Sequence, residues 1–329
     1  GVGALFIIAI GENPIDAYAA LFRGAFDGEL RLGTTLAGFT PLLLTSIAFA
    51  VAAKAGAFNV GVEGEVFLGG ITAAYIGINW TFLPKPALYV ACFVGAMVVA
   101  AAWAFIPAIL RAYYNVNEVC TTILMNTVAL YITSYLVSGP MSAGTANAQS
   151  LPVTVRLYQF MKPSSVNVGI FIAAITVIVI IFMLQKSSWG YKIRTVGLNP
   201  THADYVGIDS KKVFVGAMML SGMLGGMAGC IEVLGVHGYF LNNFATGLGS
   251  NGMLAALIVK NNMVSTPFMA FFLAVLKSGA MGMQQSTGVP KSLVDTITAV
   301  FIIIATMETA FQFTKKRKKK TEEKKEDKA

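Results

Sequence analysis

Long apolar runs separated by short polar connections leave this chain few choices of fold. They lie at Leu32–Ala53, Phe58–Ile78, Ala87–Leu110, Val116–Val137, Val168–Leu184, Val213–Val236, Leu248–Val259, Thr266–Met283 and Leu293–Phe313. Most reach the ~20 residues that a helix needs to cross a bilayer. Only 12% of the 329 residues are charged and 56% are hydrophobic, against about 25% charged in a soluble domain. So much apolar surface exceeds what one soluble core could bury. The expected fold is an all-α polytopic membrane protein. Gly1–Ile10 is also apolar, without a basic leader. It is expected to be the end of a first span that starts upstream.

Basic residues set the expected topology. Lys186–Lys212 is a polar island between two spans, with Lys186, Lys192, Arg194, Lys211 and Lys212. It is expected in the cytoplasm, as is the Lys315–Lys320 run. An even number of crossings must separate them, so Leu248–Val259 has to count as a span, although it is only ~18 Å long as a helix. Counting back places Arg111 and Lys54 inside. It places Ser138–Asn167 and the Glu12–Arg31 loop outside. About ten transmembrane helices with both termini cytoplasmic satisfy the count, the first one truncated. Residues 1–313 then form one transmembrane domain, with the coupling loop described below at 186–212. Residues 314–329 form a disordered basic tail.

The island carries the punctuation of a short helix. Asn199 can cap its start through its side-chain oxygen, and Pro200 suits the first helical position. Gly207 can adopt the left-handed conformation that ends a helix. A small capped helix in a basic loop presents a surface to a partner outside the bilayer.

Two spans are interrupted by glycine, at Gly56–Gly70 and at Thr246–Gly252. They hold comparable places in the two halves. Paired broken segments of this kind point to inverted repeats and a substrate path between them. Tight helix packing through small residues is the competing account.

Several activities are excluded or disfavoured. The net charge of +8 owes +5 to the tail, so attraction to anionic membrane lipid explains it and nucleic acid is not an expected partner. The Gly247–Gly252 match to a dinucleotide fingerprint follows no strand, and the next acid is Asp295. The dipeptide Gly-Lys occurs nowhere, so no ATP-binding loop of the Walker type exists. His202 and His237 are the only histidines, and neither has neighbours at metal-ligand spacing. Cys92, Cys120 and Cys230 are expected to be small buried hydrophobes.

Polar side chains within spans are costly and default to function. Asn59, Glu63, Asn126, Glu232 and Asn251 are the candidates for lining a polar path. Lys277 could pair with Glu232 or Asp295. Glu118, Asp295 and Glu308 lie near span ends, where snorkelling accounts for them.

The stretch Gly56-Ala-Phe-Asn-Val-Gly-Val-Glu-Gly-Glu65 resembles a motif of nucleoside-type ABC importer permeases, as does Asn117-Glu-Val-Cys-Thr-Thr-Ile-Leu-Met-Asn126. Gly190–Ile208 resembles a cytoplasmic loop shared with ribose and branched-chain amino-acid permeases. The resemblance implies a bacterial cell-membrane permease, not itself an enzyme, which binds no cofactor of its own. It implies a partner ATP-binding subunit that uses ATP, a second permease subunit that is a related but different chain, and an extracellular substrate-binding lipoprotein. On this resemblance Gly197, Asn199, Pro200, Ala203 and Gly207 belong to a coupling helix seated on the ATPase. Glu65 stands where the family pattern has Gln. A carrier of ribose-like sugars and an ion-coupled carrier using Glu63 or Glu232 are the competing readings.

Overall fold

The computed structural model describes residues 13–287 and Thr296. The expectations for Gly1–Ile10, for the tail and for Leu293–Phe313 with Asp295 and Glu308 fall outside these residues, Thr296 apart. The described chain is helical. The first helices are α1 (Pro14–Phe26), α2 (Gly28–Lys54), α3 (Val62–Asn79), α4 (Lys85–Tyr114) and α5 (Glu118–Ser138). After a long connection come α6 (Gly169–Lys186), α7 (Ser188–Leu198), α8 (Pro200–Tyr205) and α9 (Ser210–Ile231). A π-helical turn (Glu232–His237) extends α9, and α10 (Leu248–Ile258) and α11 (Thr266–Thr287) follow. Among the described residues no strand forms. Isolated bridges at Ser142–Ser150, Gln149–Leu241 and Gln159–Asn167 pin the connection between α5 and α6.

Six of these helices are long and apolar enough to cross a membrane: α2, α4, α5, α6, α9 with its π turn, and α11. The chain is a polytopic membrane protein by that measure. α10 has 11 residues and reaches only ~16 Å.

Residues 25–278 pack as one compact unit, and the described residues 13–24 and 279–287 belong to another. Glycine lets backbones meet in both. In the smaller unit, a Cβ added at Gly24 would lie 2.8 Å from the Gly279 carbonyl oxygen. In the larger unit, Gly226 of α9 faces Gly69 of α3 on one side and the Ala96 carbonyl of α4 on the other. Gly229 abuts the Val66 carbonyl. Without a hydrophobic drive between helices in lipid, close van der Waals packing of this kind holds a bundle together. The outward faces of α4 (Val90, Val94, Val98, Phe105) and α6 (Phe171, Ile175, Ile178, Phe182) are exposed and apolar, as a lipid boundary requires.

Two expectations are corrected. The Glu12–Arg31 loop contains α1, whose start is capped by Asn13: its side-chain oxygen accepts from the Ile15 N–H at 3.0 Å. Cys120 is exposed, whereas Cys92 and Cys230 are buried. α5 buries only a narrow stripe (Thr122, Ala129, Thr133, Val137), and Cys120 lies off it.

Candidate functional site

Two groups of residues carry the functional question. The first is the segment from Ser187 to Lys212. Three successive helix starts are capped there by short polar side chains. Ser187 Oγ accepts from the Gly190 N–H at 3.0 Å. Asn199 Oδ1 accepts from the His202 N–H at 3.0 Å, and Asp209 Oδ1 accepts from the Lys212 N–H at 3.0 Å. Each bond satisfies a donor that a helix start would otherwise leave orphaned. That bond, together with the Lys212 ammonium 3.0 Å away, holds the Asp209 carboxyl below its ordinary range.

The expected short helix is present as α8. Pro200 occupies its first position, and Ala203 is its buried residue. Gly207 follows it with φ +81°, a conformation that costs a residue with a side chain ~1–2 kcal/mol. Asp204 ties α8 forward to α9, accepting from the Ser210 N–H and hydroxyl at 2.9 Å each. Behind it, α7 buries Gly190, Ile193 and Val196. Gly197 lies against the last turn of α2, where an added Cβ would strike the Lys54 carbonyl. Leu198, Tyr205 and Val206 remain exposed. The sequence reading missed α7. Ser187 was the available signal, at the helix start and followed by an amphipathic stretch.

The second group surrounds the start of α3. Asn59, Glu63, Asn126 and Asn251 converge there, and hydrogen bonds commit each of them. Asn59 is buried; its amide donates to Glu65 Oε1 at 2.9 Å and to Ser221 Oγ at 2.9 Å. Asn126 reaches across from α5, accepting from the Gly64 N–H at 2.8 Å and donating to the Val60 carbonyl at 2.9 Å. Glu63 reaches the other way. Its carboxylate accepts from the Gly247 N–H at 3.0 Å and from Ser250 Oγ at 3.3 Å. An anion at a helix start satisfies orphan donors and complements the dipole, so Glu63 caps α10 from another helix. Asn251 donates to the Gly247 carbonyl within the same turn.

Glu232 stands apart from these four. It is buried in the π turn, 3.7 Å from His237 Nε2. A π turn brings residues five apart over one another, which aligns that pair. Glu118 pairs with Arg111 at 3.1 Å. Sequence reasoning missed Ser221 and Ser250 as partners, and left Glu65 unassigned. Glu65 is 1% exposed, and its Oε2 has no hydrogen-bond partner among the described residues. Among those residues no group of three His, Cys, Asp or Glu could hold a metal ion.

The described chain thus joins six apolar helices long enough to cross a membrane with a short, three-times-capped polar segment between two of them. Residues 31–306 match the family described as the permease component of the branched-chain amino acid transport system, and the chain belongs to that family. It is 33% identical to the guanosine ABC transporter permease protein NupP of Bacillus subtilis, over 97% of this chain and 93% of that one. It is 31% identical to the nucleoside ABC transporter permease protein NupB of Lactococcus lactis, over 92% and 86%. It is 32% identical to a glucose ABC transporter permease protein of Haloferax volcanii, over 92% and 83%. No solved structure matches. The chain is therefore a multi-pass permease subunit of an ABC transporter, and its family implies an ATP-binding subunit and a substrate-binding protein.

Proposed function

We propose that this chain is one of two permease subunits of an ATP-driven nucleoside importer in a bacterial plasma membrane, with α8 as its coupling helix. The carrying observation is the rigidity of the α7–α8–α9 segment: capped three times, held to α2 at Gly197 and tied forward by Asp204. Closure of the partner ATPase moves such an element as a body, and the motion passes into α6 and α9 instead of being lost in bending. Gly197, Asn199, Pro200, Ala203 and Gly207 set its shape, while exposed Leu198 and Tyr205 meet the partner. ATP is bound and used by that partner.

In this reading the chain has ten spans with both termini cytoplasmic, and its basic tail rests on anionic lipid. The second permease is a related, different chain, and a lipoprotein delivers the solute. The meeting of the two glycine-broken segments, through Glu63 and Gly247, supports the inverted-repeat arrangement. Asn59, Glu63, Asn126, Glu232 and Asn251 support the path through packing and hydrogen bonds. A sugar importer is the second reading, favoured by the likeness to the glucose permease.

Uptake of labelled guanosine and glucose by cells expressing the complete transporter separates the two solutes. Gly207→Pro, or deletion of 201–206, is expected to abolish ATP-driven uptake while the protein still inserts. Undiminished uptake by either variant overturns the coupling role.

A further inference from the structure

The outward face of α5 is mixed, with exposed Leu124, Val128 and Ile132 among polar groups. It carries exposed Thr127, Tyr131 and Tyr135, the tyrosines 69% and 70% exposed. Neither tyrosine hydroxyl has a hydrogen-bond partner among the described residues. Tyr131 lies seven residues inside the end of α5, ~10 Å deep, below the interfacial belt where tyrosine is at home.

A cavity of about 410 Å³ opens beside the same end of α5, against α3 and the start of the following connection. Ile71, Leu136 and Met141 give it apolar walls. Thr72, Tyr75 and Asn79 line it from α3. The Thr72 hydroxyl donates to the Leu68 carbonyl at 2.7 Å, and the Asn79 amide nitrogen donates to the Tyr75 carbonyl at 2.9 Å. The Tyr75 hydroxyl, Asn79 Oδ1 and the Thr72 lone pairs stay open to a guest. None of the lining residues is charged. The cavity is lined by the last turns of α3, from Ile71 to Asn79, whereas Gly56, which touches Gly197, precedes the start of that helix.

We propose that this crevice is a solute-binding site of the permease for an uncharged, ring-bearing polyol of the nucleoside class, and that it rejects the phosphorylated form. The volume suits a small molecule, for which such sites run ~300–1,000 Å³. Ile71, Leu136 and Met141 pack a flat base. The hydroxyl and amide groups on one face of α3 pair with ribose hydroxyls. A phosphate would be desolvated with no cation to meet it. The proposal rests on the importer reading above and assigns that importer a site away from its coupling segment.

The test uses the complete transporter in cells. Leu136→Trp and Met141→Trp fill the crevice and are expected to cut uptake of labelled guanosine at least about tenfold, whereas Val94→Trp on the lipid face stays within about twofold. Full uptake in both crevice variants overturns the site. A second arm tolerates a folding defect in the tryptophan variants. Met141→Cys, with Cys120→Ser to remove the exposed native thiol, is labelled with a maleimide. Guanosine is expected to slow labelling, and guanosine monophosphate to leave it unchanged. No protection by guanosine, or equal protection by the monophosphate, overturns the crevice while wild-type uptake keeps the importer reading. Absence of ATP-driven guanosine uptake by the wild type overturns that reading, and the crevice with it.

Discussion

Gly197 rests directly on Lys54: its Cα faces the carbonyl that closes α2, leaving no room for a side chain. The segment that bears α8 is thus seated on a buried span through a direct backbone contact. A backbone neighbour cannot rotate away as a side chain can, so even one methyl group must move a helix. Gly197→Val is expected to lower stability by ~1–3 kcal/mol, the usual cost of overpacking, and to cut uptake further than Val94→Trp does. A thermal midpoint and uptake rate equal to wild type would show that the seat is soft.

Asn199 offers a graded probe of the same segment. Asn199→Ala removes the cap on α8 and is expected to cost ~1 kcal/mol. Asn199→Asp restores an acceptor and should recover most of the transport. The comparison is read from uptake at equal membrane abundance; identical loss in both variants would point to a direct contact by the amide instead of a cap.

Glu63 holds the start of α10 through two bonds. Glu63→Ala removes both bonds, one to a half-buried N–H and one to an exposed hydroxyl, and is expected to destabilise the protein by ~1 kcal/mol. Glu63→Gln keeps one acceptor and should fall between. Thermal midpoints of the solubilised protein check the order. If Glu63→Ala melts like wild type but transports poorly, the carboxylate acts on solute and not on α10.

Glu65 is expected to behave as a hydrogen-bond acceptor and filler. Glu65→Gln still accepts from Asn59 and should change stability by no more than ~1 kcal/mol. Glu65→Ala leaves Asn59 with one acceptor fewer and opens a hole between α3 and α9, at ~2–4 kcal/mol. Chemical denaturation resolves that gap; equal costs would mean the side chain does not matter to Asn59.

Six spans were legible because hydrocarbon demands long apolar runs, whereas the expected crossings at Phe58–Ile78 and Leu248–Val259 are not among the helices long and apolar enough; α8 was legible because Asn199-Pro200 and Gly207 are local signals. The same Asn-Pro pairing at Asn13-Pro14 announced α1 and was passed over, since the charges around it read as a loop. The π turn had no local sequence mark; in the structure its Gly235 packs against Asn167 and the following Gly238 against Arg156. The partners of Glu63 lie 184 and 187 residues away, so its place between two helices is a tertiary fact. Composition flagged Asn59, Asn126 and Asn251 as unusual. It could not tell a residue that lines a channel from one that braces its wall.

At Gly69, Gly226 and Gly229 the main chains of α3, α4 and α9 come together directly, and even a methyl group has no space there. Repacking such a seam means moving a whole helix and not just a side chain. In the importer reading, the parts left free to shift are at its margins: α5, which buries only a narrow stripe, and the half-length α10.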